Sequence, residues 1–250
     1  MIENDRYLFG YHDYFVGMQS GALAFVHPLD YTSVIGMYIT YLNYGDLTRA
    51  DEDGNELGTF GGGDMLFGVT YARNINQRFQ IGATAKMAYE KIDTYSASAV
   101  AFDLGLRLSS DRGRMTGGVM IQNLGTTLSS LGEDDSFDLP LTFRIGGSAK
   151  PRGMDLVIAA DLVKPRDNDL LLAIGGESFH FDPFLIRVGY NSAGSDYKTS
   201  VSDASWTGVS LGFGLNIKQL GPLGKAQLSY SYTPAADLGT SHRITLTGGK

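Results

Sequence analysis

The sequence predicts an all-β fold: a closed, antiparallel transmembrane β-barrel of about 14 strands. Three observations predict it. Apolar and polar residues alternate in about a dozen segments, most of these segments are about 9–14 residues long, and long and short connections tend to alternate. A period of two places every second side chain on the same face of a strand. No Pro-rich linker or low-complexity stretch divides the chain, so we treat residues 1–250 as a single domain.

Composition supports strands and turns over helices. The chain has 33 Gly, 14 Tyr and 13 Phe, and it has no Cys, which excludes a disulfide framework and a thiolate metal site. The net charge of −7 argues against nucleic acid as a partner. A mean hydropathy of −0.08 is typical of a soluble protein. A barrel strand has a similar mean hydropathy because polar residues that face the lumen alternate with apolar residues that face lipid.

The alternating segments predict fourteen strands. They lie near residues 6–14 (the weakest), 19–27, 33–44, 63–73, 79–92, 97–108, 114–123, 140–150, 154–164, 169–180, 184–191, 205–217, 225–233 and 240–248. A tilted strand that crosses a bilayer needs about 9–11 residues, whereas strands of soluble sheets are usually about 5–6 residues long. Strand length therefore favours a membrane barrel over its main alternative, a soluble β-sandwich.

The connections differ in length at the two predicted ends. Three are long and polar: 45–62, 124–139 and 192–204. The short ones at the opposite end are 28–32, 74–78, 109–113, 151–153 and 181–183. Bacterial outer-membrane barrels have short periplasmic turns and longer outer loops. With an even strand count, both termini are predicted at the short-turn end.

The two faces of the strands have different compositions. The outward, apolar face is predicted to carry Phe67, Val69, Tyr71, Val100, Phe102, Leu104, Leu106, Leu108, Leu141, Phe143, Ile145, Leu156, Ile158, Ala160, Leu162, Leu228, Tyr230, Tyr232, Ile244 and Leu246. The inward face carries charges of both signs, which we expect to pair across a lumen: Lys86, Glu90, Asp103, Arg107, Arg144, Asp155, Asp161, Glu177, Arg187 and Arg243. Glycines share this inner face, and tyrosines near strand ends, Tyr44 among them, are expected to form aromatic girdles.

Short motifs spread over nearly the whole chain add a family resemblance. They include Leu42-Asn43-Tyr44-Gly45, Asp51-Glu52-Asp53-Gly54, Val69-Thr70-Tyr71-Ala72-Arg73, Gln122-Asn123-Leu124-Gly125, Arg187-Val188-Gly189-Tyr190 and Leu238-Gly239-Thr240-Ser241-His242-Arg243. In these motifs and their order the chain resembles the PorV/PorQ family of Bacteroidetes-type outer-membrane proteins. The resemblance implies a FadL-like barrel of 14 strands in the bacterial outer membrane, associated with type IX secretion.

Two features of that family are not found. The family has an N-terminal Asn-Pro-Ala segment that folds into the lumen like the FadL hatch, and nothing before Tyr7 matches that segment. The first residues of the chain also lack the basic start and the apolar core of a signal peptide. The chain also ends at Gly248-Gly249-Lys250 rather than on an aromatic residue. We therefore expect the hatch and the signal peptide to be absent from this chain.

No enzymatic or cofactor signature is present. The four His residues lack metal-binding spacing, and there is neither a Gly-x-Ser-x-Gly elbow nor a phosphate-binding loop. We expect neither an enzyme nor a cofactor. One weak calcium candidate is formed by Asp51, Asp53 and Glu56, although the EF-hand spacing fails and a solvated turn is the alternative.

The leading functional hypothesis is a protein-binding shuttle or accessory component of type IX secretion and cell-surface attachment. Its expected partners are outer-membrane lipid or lipopolysaccharide, translocon or attachment proteins, and secreted cargo. The candidate contact residues in or beside the outer loops are Leu128, Leu131, Phe137, Tyr197 and Trp206. The alternative is that these side chains pack loop on loop over the barrel mouth.

Two other functions stay open. A FadL-like channel for small hydrophobic molecules needs an apolar pocket in the lumen and a lateral gap in the wall. The charged, Gly-rich inner face disfavours that pocket, whereas Met37, Ile39, Met120 and Leu185 would favour it if they point inward. The chain could also be a purely structural barrel in a larger envelope complex.

Overall fold

Fourteen strands form the whole wall of the molecule. The computed structural model describes residues 4–110, 112–132, 138–197, 206–221 and 224–249. The strands are β1 Arg6–Asp13, β2 Gln19–Pro28, β3 Ser33–Ala50, β4 Glu56–Asn74, β5 Phe79–Ile92, β6 Tyr95–Ser109, β7 Met115–Ser129, β8 Thr142–Ala149, β9 Leu156–Pro165, β10 Leu171–Ser178, β11 Phe184–Asn191, β12 Val209–Ile217, β13 Lys225–Pro234 and β14 Thr240–Gly249. Across these ranges, no helix is long and apolar enough to span a membrane.

The sheet closes on itself. Each strand pairs antiparallel with its neighbour in sequence, and β1 pairs with β14 from Arg6 opposite Gly249 to Asp13 opposite His242. Closure pairs every strand with a neighbour on each side, which is the condition for a β-structure in hydrocarbon. The predicted 14-strand antiparallel barrel is therefore confirmed, including the weak first strand.

The described residues enclose no dry protein core. Among the described residues, the buried apolar side chains are Ala101, Leu185, Ala226 and Ala235, and no large side chain is fully buried. Leu211 and Ile158 keep 54% and 48% of their surface exposed. A β-sandwich would enclose such residues between its two sheets, so the apolar face of this sheet points outward, as predicted.

The pairing register fixes which residues share a face. Met37 and Ile39 lie opposite Phe25 and Leu23 on β2, and all four are exposed on the apolar outer face. Met37 and Ile39 therefore belong to the outward set of β3, and they do not supply the apolar lumen pocket that a channel needs.

The wall is taller on one side. β3 and β4 have 18 and 19 residues, whereas β8, β10 and β11 have 8 each. The predicted long loop at 45–62 is consequently wrong, because most of it is a β-hairpin joined by a turn at 51–55. The predicted loop at 124–139 is also too long, since β7 continues to Ser129.

The turn between β2 and β3 illustrates how the short connections are held. The Asp30 carboxylate accepts hydrogen bonds from the Ser33 hydroxyl at 2.5 Å and from the Thr32 hydroxyl at 2.7 Å. Backbone N–H groups of Thr32 and Ser33 add two more. These bonds hold the pKa of Asp30 far below its usual range, with the Ser33 hydroxyl contributing most. The turn is therefore fully supported at neutral pH and loses this support only in acid, as the carboxylate is protonated.

Candidate functional site: the lumen

The inner face at mid-height is built largely from glycine. Three glycine pairs lie directly opposite each other on neighbouring strands: Gly82 with Gly105, Gly118 with Gly146, and Gly175 with Gly189. Their side-chain-free surfaces face the lumen, as predicted. Without side chains there, the backbone itself forms the lumen wall, and the interior is wider than a row of larger residues would leave it.

A β-bulge interrupts the wall between β6 and β7. Phe102 pairs with Leu124 and Leu104 pairs with Ile121, so Asp103 alone faces two residues of β7. Asn123, one of the two, has a positive φ of 64°. Its freed backbone N–H donates to the Asp103 carboxylate at 2.8 Å, which replaces the missing bond of the ladder.

The same carboxylate holds a lysine. The Lys86 Nζ lies 2.7 Å from Asp103 Oδ1 and 2.9 Å from Oδ2. The two side chains are only 10% and 12% exposed, so this pair is shielded from water and from salt. The predicted inward charges Lys86 and Asp103 thus neutralise each other inside the wall of the lumen.

A second charged pair anchors a polar network on β10 to β13. Arg187 Nε donates to Glu177 at 2.6 Å, and its two terminal nitrogens donate to Ser229 and Gln227 at 2.9 Å each. Gln227 in turn donates to Asn216 at 2.9 Å. The guanidinium therefore bonds side chains of two other strands and makes this part of the lumen polar and rigid.

Arg243 and Arg107 bond to neutral partners. Arg243 donates to His12 Nδ1 at 3.2 Å, and His12 Nε2 lies 2.5 Å from the Ser241 hydroxyl. Because a guanidinium can only donate, Nδ1 is the acceptor and Nε2 carries the ring proton. Arg107 donates to Gln80 at 3.2 Å. Within the described ranges, neither arginine has a carboxylate partner in ion-pair distance.

Arg144 and Asp161 complete the inward charges at membrane level. Both lie on the lumen face of neighbouring strands β8 and β9, yet the described part of the chain gives the side chain of neither residue a hydrogen bond or an ion pair. The prediction that the lumen charges pair therefore applies to four of the ten residues and not to these two.

The last two predicted lumen charges lie at the barrel ends. Glu90 and Asp64 both accept from the Tyr44 hydroxyl, at 3.5 and 2.7 Å, near the top of the tall wall. Tyr44 therefore points inward, and its prediction as a girdle residue is wrong. Asp155 lies in the turn before β9 rather than inside a strand, 3.4 Å from His180.

One part of the lumen wall carries no charge at membrane level. We define the apolar sector as the inward residues of β2, β3 and β4 below Asp64, namely Ala22, Ala24, Val26, Val34, Gly36, Tyr38, Thr40, Leu42, Leu66, Gly68, Thr70 and Ala72. Most of these side chains are small, and the Tyr38 ring lies across Gly68. The sequence analysis did not identify this sector, although the residues at these alternate positions of the three strands are visibly uncharged in the sequence.

A lumen cavity of about 510 Å³ adjoins the apolar sector. Its lining includes Thr70 and Ala72 of that sector, the glycines of β5 to β8, and Met120. Met120 and Leu185 point inward, which is the condition under which they favour an apolar pocket, and Leu185 is buried. Asp103, Arg107, Arg144 and Asp161 also border the cavity, so it joins an apolar and a charged surface.

The predicted partner-binding residues are dispersed. Leu128 is 59% exposed in the upper part of β7, Trp206 is 70% exposed before β12, and Leu131 is half-buried after β7. Phe137 lies outside the described residues. Tyr197 ends the short 3₁₀ helix Ser192–Tyr197, and only its backbone is described.

The calcium candidate is not assembled. The Asp51 carboxylate accepts from the Asn55 backbone at 2.7 Å and from the Asn55 side chain at 2.9 Å. These bonds lower the pKa of Asp51, with the Asn55 side chain contributing most. In the ranges that the structure describes, no three His, Cys, Asp or Glu side chains are placed to hold a metal ion. Asp51, Asp53 and Glu56 belong to a turn and the strand that follows it.

Comparison with known proteins identifies the architecture. No protein-family model matches the chain, and no curated protein is similar to it in sequence. The Pseudomonas putida toluene transporter TodX has a TM-score of 0.64 at 10% identity, over 99% of this chain and 89% of that chain. The Ralstonia pickettii toluene transporter TbuX has a TM-score of 0.61 at 12% identity, over 99% and 88%.

A Pseudomonas aeruginosa FadL homologue is similar to the same extent, with a TM-score of 0.61 at 12% identity over 99% of this chain and 90% of that chain. These similarities establish the fold as that of FadL-like outer-membrane barrels. Together with the apolar exterior, they locate the chain in the bacterial outer membrane. TodX and TbuX are transporters rather than enzymes. None of the comparisons supports the PorV/PorQ family in particular.

Proposed function

We propose that this chain is an outer-membrane channel that passes small, uncharged hydrophobic molecules. The observation that carries the proposal is the apolar sector of the lumen. In a barrel whose interior charges are otherwise frequent, three adjacent strands, β2 to β4, present no charge below Asp64. An apolar solute can follow this surface without displacing water from an ionised group, which would be costly.

Four of the lumen charges form ion pairs that are compatible with such a route. Lys86 pairs with Asp103 and Arg187 with Glu177, so each pair presents little net charge to a passing solute. The solved structures with this fold include two toluene transporters. That likeness supports monoaromatic hydrocarbons as the first substrates to test.

Uptake of radiolabelled toluene by cells that express the barrel tests the proposal. We expect faster uptake than in cells with an empty vector, and a return to the vector rate for Ala24→Arg, which adds a charge to the apolar sector. The matched control is Ala159→Arg, the same change on the inward face of β9 beside the polar network. It should keep most of the uptake.

Heat-modifiable gel migration shows that both variants fold, so that a loss of uptake reports on the route. Uptake at the vector rate by the unmodified chain would overturn the proposal. So would equal losses in folded Ala24→Arg and Ala159→Arg, because the apolar sector would then have no special part.

A second candidate function is the protein-binding accessory role in type IX secretion. The exposed Trp206 at the long-loop end favours it, since exposed aromatic residues are typical binding anchors. Gentle purification from native membranes distinguishes the two functions. Secretion components or secreted cargo in the purified sample would support the accessory role, and an isolated barrel would argue against it.

A further inference from the structure

Basic residues are concentrated along one half of the short-turn end. We define the basic rim as six residues at the ends of β4 to β9 and in the turns that join them: Arg73, Arg78, Arg112, Arg114, Lys150 and Arg152. The three turns are consecutive around the barrel. The Ser109 N–H donates to the Arg78 carbonyl at 2.9 Å, and the Lys150 N–H donates to the Arg114 carbonyl at 2.8 Å. The rim is therefore one continuous arc.

Four arginines of this arc are available to a partner. All six residues are exposed. Over the ranges that the structure describes, no carboxylate lies within ion-pair distance of Arg73, Arg112, Arg114 or Arg152. The nearby Asp155 is 3.4 Å from His180, and the Lys150 ammonium lies 4.2 Å from the centre of the Phe179 ring.

Exposed apolar side chains alternate with these charges. Ile75, Met115 and Met154 lie in or beside the same three turns and are 57%, 63% and 56% exposed. Directly above them the outward face continues with Phe79 and Ile81, which are exposed to the hydrocarbon. The rim therefore lies at the boundary between lipid tails and headgroups, where basic side chains extend their charged ends towards phosphate.

The opposite end of the barrel has a different charge. The connections there carry Asp51, Glu52, Asp53, Asp93 and Asp167, and Arg166 among them is already paired with Asp138 at 3.1 Å. If basic residues served only to attract lipid phosphate in general, we would expect similar charges at both ends of the barrel. Basic residues near that end include Arg49, which is paired with Asp93, whereas the continuous basic surface lies at the short-turn end, which faces the periplasmic leaflet in barrels of this kind.

We propose that the basic rim binds the headgroups of anionic phospholipids in the periplasmic leaflet. The occupant is a lipid rather than an acidic protein because the charges are continuous with the lipid-facing belt and are interrupted by apolar residues. Guanidinium groups suit this partner, since each can bond a phosphate with two parallel N–H groups.

The test compares lipid retention in folded barrels. The rim variant is Arg112→Gln/Arg114→Gln/Arg152→Gln, and the matched control removes three charges near the other end, Arg49→Gln/Lys91→Gln/Lys164→Gln. Purified proteins are equilibrated with equimolar phosphatidylglycerol and phosphatidylcholine, and native mass spectrometry counts the lipids that stay bound. Gel mobility before and after heating confirms that each barrel is folded.

We expect the unmodified barrel and the control to prefer phosphatidylglycerol, and the rim variant to lose about tenfold or more of that preference. A variant with lysine at the same three positions should keep it, and inorganic phosphate should not compete. No preference in the unmodified barrel, or an equal preference in the rim variant, would overturn the proposal. Capture of an acidic protein by a rim that shows no lipid preference would overturn it as well.

Discussion

At the residue scale, the Asp103 carboxylate combines two structural roles. Its carboxylate closes the bulge through the Asn123 N–H and balances Lys86 at the same time. The sequence predicts that Asp103 and Lys86 face inward, because both occupy the polar positions of alternating strands. It does not predict their pairing or the bulge, since pairing depends on the register between β5, β6 and β7.

Asp103→Asn is predicted to destabilise the barrel. The amide can still accept from Asn123, but it leaves the shielded Lys86 ammonium without a counter-charge. We expect a loss of about 2–3 kcal/mol, at or just below the lower limit for breaking a buried pair, because the two side chains keep 10% and 12% of their surface exposed. Unfolding of the two proteins by guanidinium chloride in detergent micelles measures this change in the free energy of unfolding.

The control for this prediction is Asp161→Asn, which makes the same change at a lumen carboxylate with no bonded partner in the described structure. Its free energy of unfolding should change by less than about 0.5 kcal/mol. Equal effects of the two variants would mean that the Lys86–Asp103 pair contributes nothing of its own.

At the element scale, the strands could be predicted from the sequence but their upper ends could not. Apolar alternation is imposed by the bilayer, so it reveals the part of each strand that crosses lipid. In the upper parts of β3 and β4 apolar residues no longer alternate regularly with polar ones, and the segment 45–50 therefore resembles a loop in the sequence. What makes it a strand is pairing with β4, such as Leu47 with Phe60.

The contact between β6 and β7 just above the bulge depends on a glycine. A methyl group on Gly125 would collide with the backbone of Val100 and Ala101 on β6. Gly125→Ala should therefore force the two strands apart and lower the free energy of unfolding by about 1–3 kcal/mol. The same unfolding measurement detects this change.

Gly175→Ala is the matched control on β10, because its methyl group would meet only the Val188 carbonyl oxygen at an ordinary distance of 3.5 Å. That variant should be neutral or gain up to about 0.5–1 kcal/mol, since alanine is less flexible than glycine in the unfolded chain. A Gly125→Ala barrel as stable as Gly175→Ala would contradict the close approach of β6 and β7.

At the scale of the whole molecule, the architecture follows from one physical requirement. A chain with an apolar band on one face of a sheet, and no second layer to cover it, must meet hydrocarbon and must close its edges. Both the apolar band and the even number of strands could be predicted from the sequence. The distribution of charge around the lumen could not be predicted from the sequence, because it depends on which strands are neighbours.

The most direct measurement uses the absence of Cys in the chain. Single cysteines replace adjacent residues on two strands, Leu23 and Ala24 on β2, and Ile158 and Ala159 on β9, and each carries a nitroxide label in lipid vesicles. We predict that labels at 23 and 158 relax with oxygen dissolved in the bilayer, and that labels at 24 and 159 relax with a water-soluble nickel complex. Equal access of the nickel complex to all four labels would contradict a barrel whose outer face touches lipid.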